Sequence, residues 1–183
     1  MNLVKLLAPV VVVASALASV VGVACSSVPT DTRIGVDAPN GSEAQFGPVA
    51  NYLDQRCGTL DCHGQSGRNL RIWGCDGMRL EPGDVPLCTV KTTTPAEHQA
   101  TYRSLVGLEP TVMSYVVDHH GQDPELLTFV RKARGTESHK GGTLITPGDA
   151  QDKCITSWLT GSTDTASCRA AIAIPAFPDA SAE

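Results

Sequence analysis

The sequence predicts a mainly α-helical domain with long loops, cross-linked by disulfides. Three observations carry that expectation. Several stretches place apolar residues at helical spacing behind recognisable N-terminal caps. The segments between them are loop-like, and the chain holds 17 glycines and 12 prolines in 183 residues. Six cysteines follow Cys25, whereas aromatic residues make up only 4% of the chain. A domain so poor in large side chains gains from cross-links or from a bulky cofactor that supplies apolar surface.

The leader comes first. In "MNLVKLLAPVVVVASALASVVGVAC" Lys5 precedes a continuous apolar run ending in Gly22-Val23-Ala24. That is the build of a secretory signal over residues 1–24. Cys25 follows, then a polar spacer rich in Pro, Gly, Ser and Thr that reaches residue 42. This start resembles that of a bacterial lipoprotein. The resemblance implies cleavage before Cys25, lipidation of that residue and a lipid anchor, on the periplasmic side of a bacterial membrane and most naturally the outer one. A secreted protein cut near Ala24 and an uncleaved anchor are the alternatives, since the run is close to spanning length. All three place residues 26–183 outside the cytoplasm.

Charge narrows the partners. Lys5 is the one charged residue of the leader, so residues 25–183 carry 13 basic against 19 acidic side chains. That balance speaks against nucleic acid, whose binders present a basic surface.

The folded domain is expected over residues 43–168. Ser42 with Gln45 is a capping-box start. Phe46, Val49 and Leu53 form one stripe that Cys57 extends, which predicts a helix over about 43–56. After Gly64 the chain reads as loop, with a short extended piece around Leu70 to Trp73. A second helix spans Thr94 to Val106: Thr94 caps, Pro95 opens, Glu97 completes the box and Gly107 ends it. "PTVMSYVVDHHG" reads as a short helix, and "DPELLTFVRKARG" as another, with Asp123 as its cap and Pro124 next. In the final helix Thr146 caps, Pro147 follows, Ile155, Trp158 and Leu159 face inward, and Gly161 stops it. The tail, residues 169–183, reads as loose.

The chemistry concentrates in "CGTLDCHG", Cys57 to Gly64. Two thiols with a histidine right after the second suit covalent attachment of one haem, the imidazole being directed at its iron. The usual spacing is C-x-x-C-H; here four residues separate the cysteines. Two further readings stand beside this one. Both cysteines can be disulfide partners, the default in an oxidising compartment. Cys57, Cys62 and His63 can also be part of a zinc site, although no second short-spaced ligand pair accompanies them.

The order of pieces resembles a cytochrome c-like domain of the planctomycete type over Phe46 to Gly161: a helix into Cys…Cys-His-Gly, the loop "GRNLRI", a Leu-Leu helix, a Gly-Gly turn and the helix "ITSWLTG". The resemblance implies one covalent haem c, held by Cys57 and Cys62 with His63 as proximal iron ligand. The distal ligand is expected just before the last helix, where "ESHKGG" places His139. Met113 is the alternative, although a Met in such a helix is more often core filler. His119 and His120, ending that helix, come after it. Arg68 and Arg71 are candidate partners of the haem carboxylates, or a solvated loop face. With Cys57 and Cys62 on haem, nearest-neighbour pairing of the rest gives Cys75–Cys88 and Cys154–Cys168.

The function implied is electron transfer to a redox partner protein that the sequence does not identify. No serine elbow, phosphate loop or paired-carboxylate motif suggests a substrate-converting enzyme. The other class of function is a haem-free, disulfide-stabilised lipoprotein with a structural or binding role.

Overall fold

A computed structural model describes residues 35–84 and 92–173. The leader, Cys25 and Cys88 lie outside the described residues, and with them the lipidation site and one partner of the expected Cys75–Cys88 pair. Six α-helices are found among the described residues: α1 Glu43–Cys57, α2 Pro95–Val106, α3 Pro110–Asp118, α4 Thr128–Ala133, α5 Ala150–Leu159 and α6 Thr165–Ala173. The extended piece near Trp73 amounts to one bridge, Trp73 to Met78. The chain is mainly helical, as its periodicity predicts.

Helix α1 is the centre of the core and packs on α2, α5 and α6. Phe46, Val49 and Leu53 are buried as their spacing requires, and Ala50 and Tyr52 join them. Phe46 meets the edge of Tyr102 at 5.3 Å between ring centres and Trp158 at 5.0 Å. Such aromatic pairs add roughly 0.5–1.5 kcal/mol beyond their burial. Trp158 Nε1 donates to the Asn40 carbonyl and the Tyr102 hydroxyl to that of Pro39, so the strand of chain before α1 is tied to the core.

The caps divide into those that form and those replaced. At α2 the box is complete, with Thr94 and Glu97 bonding each other's backbone. At α1 it is not. Ser42 makes no side-chain cap; its N–H donates to Asn40 Oδ1 at 2.9 Å, while Gln45 Oε1 accepts the Thr163 N–H at 2.8 Å and the Gln45 carbonyl accepts the Thr163 hydroxyl. A tertiary bond has taken the side chain that the box needs. The last expected helix starts at Ala150 rather than behind Thr146, since Asp149 accepts from both the Asp152 and the Thr146 N–H groups. Asp123 is left-handed (φ 50°) and caps nothing. A 3-10 turn follows at Pro124–Leu126, then Leu127 is buried in an extended conformation, and only then does α4 begin.

Cys154 and Cys168 are joined, their Cα atoms 4.6 Å apart, as nearest-neighbour pairing predicts. The bond ties α5 to α6. The expectation of a loose tail from residue 169 needs correcting, because α6 continues to Ala173. The reason is packing: α6 lies against α1 and α5 with Ala171 wholly buried. Residues 174–183 lie outside the described residues.

Candidate functional site

The site is built where α1 ends. Gly58 closes the helix by donating to the Asp54 carbonyl at 2.8 Å. Gly58 is buried, and the chain bulges outward only beyond it, with Leu60 64% exposed and Asp61 beside it also exposed. Three backbone bonds bring the chain back: Cys62 N–H to the Thr59 carbonyl, Gly64 N–H to the same carbonyl, and His63 N–H to that of Cys57 at 2.9 Å. The lengthened spacing is thus absorbed in a compact loop, and His63 returns to the end of α1. Gly64 is required there, because a Cβ would collide with the Gly58 carbonyl and the Gly77 backbone. Asp54, buried beneath, accepts from the Cys75 N–H at 2.9 Å and holds the next loop against the helix.

The "GRNLRI" loop orients the histidine. His63 Nδ1 lies 3.0 Å from the Leu70 carbonyl. A carbonyl can only accept, so Nδ1 carries the proton and Nε2 keeps its lone pair, as a metal-binding imidazole needs. Arg68 Nε donates to the Cys62 carbonyl at 2.9 Å and its fork reaches that of Asp61. Arg68 therefore buttresses the cysteine–histidine turn while also lining the cavity beside it. Arg71 does not reach that cavity. Its N–H is held by Ser104 and its guanidinium by the Arg68 carbonyl, and it lines a separate depression with Arg103.

The cavity has a volume of about 420 Å³. Tyr52, Leu53, Leu70, Phe129, Leu144 and Ile155 form its apolar wall, with Cys57, His63 and His139 among the polar lining. Cys57 and Cys62 carry free thiols; Cys57 is on the wall and Cys62 is not. Met113 is fully buried in the core, away from this lining, and fills space as a helix methionine usually does. His119 and His120 are exposed. The contribution of α4 (Phe129, Lys132) went unseen in the sequence; the apolar spacing of "ELLTFVRKA" marks a buried face but not what it faces.

His139 enters from the loop between α4 and α5. Its ring centre lies 6.0 Å from that of His63, with planes 22° apart. Its Nδ1 is buried and has no hydrogen-bond partner. Gly141 leaves it room, since a Cβ there would sit 3.1 Å from the ring. Burial draws the His63 imidazole below its ordinary value; the Leu70 carbonyl opposes this, and the nearby His139 and Arg68 reinforce it. Burial likewise pushes the Cys57 thiol up to about 12, with Cys62 adding and Arg56 opposing. That thiol stays protonated at neutral pH, so it is not an activated nucleophile.

Comparison of the chain with protein-family models, curated proteins and solved structures returned no match. The residues themselves are the test of a haem. His63 and His139 come together at this wall, their ring centres 6.0 Å apart. The orphaned Nδ1, the apolar wall and the adjacent Cys57 suit a large apolar group with a metal at its centre. Among the described residues no three His, Cys, Asp or Glu side chains converge. Among them, too, no helix is long and apolar enough to cross a membrane.

Proposed function

We propose that this chain is an exported monohaem c-type cytochrome-like lipoprotein that transfers electrons. The observation that carries the reading is that His63 and His139, far apart in sequence, meet at one largely apolar cavity with Cys57 beside them. Cys57 and Cys62 would hold the haem covalently, with His63 as proximal and His139 as distal ligand. When bound, the group supplies one-electron exchange between ferric and ferrous iron.

The chain's own part is to bind, orient and exclude water. Leu70 fixes the His63 tautomer, and Gly64 lets the turn close. The apolar wall keeps the dielectric low, and Arg68 stands at the rim to meet a carboxylate. His63 and His139 together would give a bound haem a lower potential than a histidine and a methionine would. Export and anchoring through Cys25 belong to the same proposal, with a partner protein as electron donor or acceptor.

The test is an absorption spectrum and intact mass of residues 26–183, exported alongside a c-type maturation system. A Soret band that survives denaturation, with one haem of added mass, is the expected result, and His139→Ala then changes the low-spin spectrum. A colourless, fully matured protein would overturn the reading. It would leave the haem-free stapled module.

A further inference from the structure

The two histidines are held in different ways. His63 is oriented through its own ring by the Leu70 carbonyl. The His139 ring has no such bond on Nδ1, and it sits in a loop bounded by two left-handed glycines, Gly135 and Gly142. What fixes it must act on its backbone. Two residues before it, the Glu137 carboxylate bridges Arg131 Nε at 2.9 Å and Lys132 Nζ at 2.8 Å. Lys132 Nζ also donates to the Ser138 carbonyl at 2.9 Å.

Arg131 is itself immobilised. Its remaining donors go to the Glu125 and Leu126 carbonyls and to the Thr128 hydroxyl, and its own carbonyl accepts the Thr136 N–H at 3.0 Å. The loop carrying His139 is therefore fastened to the end of α4 just before the ring, by the Glu137 carboxylate together with the bonds to the Ser138 and Arg131 carbonyls. We propose that Glu137, gripped by Arg131 and Lys132, is the positioning residue that holds His139 at the cavity. It replaces from outside the hydrogen bond to the ring that His63 has and His139 lacks. This rests on the haem reading for its consequence, though not for its geometry.

Glu137→Ala tests it in two ways. In the haem-loaded protein the iron site would become more available, so cyanide binds about 2- to 5-fold more tightly than to the parent, the reach of a part-exposed ion pair. The low-spin spectrum also loses intensity. In the His139→Ala background the same substitution changes neither, since it acts through that histidine. In the haem-free chain the amides of residues 136–142 exchange about tenfold faster in Glu137→Ala, the effect of losing local protection. Unchanged cyanide affinity and unchanged exchange overturn the proposal, as does an equal effect in the His139→Ala background. A parent chain that takes up no haem sinks the functional reading alone, and the exchange measurement still decides the role of Glu137.

Discussion

Glu97 is fully buried and every one of its oxygens is used. It accepts the Arg79 guanidinium at 2.7 and 2.9 Å, the Leu80 N–H at 3.1 Å and the Thr94 N–H at 2.8 Å. One residue thus caps α2 and anchors a loop some seventeen residues upstream in the chain. Removing one partner of a buried ion pair leaves a charge without compensation, at a cost of about 3–5 kcal/mol. Arg79→Met should show that loss in urea unfolding at pH 7. Burial alone would raise the Glu97 carboxyl, but the Arg79 guanidinium and the Thr94 and Leu80 N–H groups outweigh it and hold the folded value low. The sign follows from linkage. Its stabilisation is complete above the unfolded carboxyl value of about 4.3 and fades as pH falls through the lower folded one. Glu97→Gln should therefore be weaker than the parent at neutral pH, with the gap narrowing below pH about 4. A gap that stays constant into acid would mean that the carboxylate's charge contributes nothing.

At the scale of elements, the cystine joining α5 and α6 is the clearest cross-link. Its residues lie 14 apart in sequence, and a loop of that size is worth about 3 kcal/mol in the chain-entropy account. The Cys154→Ala/Cys168→Ala protein should lose about that much in urea unfolding, with exchange rising first in α6. Equal loosening of α2 would instead mean that the bond holds the whole core.

Helix starts were legible where the cap depends on neighbours in sequence alone. Thr94, Pro95 and Glu97 satisfy one another, and α2 begins as expected. Ser42 and Gln45 carry the same signature, but Thr163 competes for the glutamine from across the fold. At α5 two capping residues stand three apart, and Asp149 prevails because its carboxylate serves both Thr146 and Asp152. Helix α6 escaped notice for another reason. "TASCRAAIA" presents a narrow face of Cys and Ala, whose burial becomes visible only once α1 and α5 are in place.

At the scale of the whole molecule, residues far apart in sequence meet at one cavity. The order of the pieces singles out His63 and His139, and their ring centres lie 6.0 Å apart. The wall from α4 and the outward turn of Arg71 were not legible, because both depend on how helices rotate when packed. Continuing the α1 stripe turns both cysteines toward the same interior, but only Cys57 lines the cavity and Cys62 does not.

The bulge between those cysteines has a consequence for the continuity of the chain. Leu60 stands at its exposed tip, with both feet of the loop fastened by backbone bonds. Exposed tips of this kind are where proteases nick folded proteins. A single cut between Leu60 and Asp61 severs the polypeptide, and the Cys154–Cys168 bond does not rejoin the pieces, since both its residues lie on one side. If Cys57 and Cys62 hold one haem as proposed, Cys57 on one fragment and Cys62 on the other would keep the two pieces together through that group. Mass spectrometry of the nicked, denatured protein should return the parent mass plus one haem and one water. Two separate fragments would show that at least one thioether is missing.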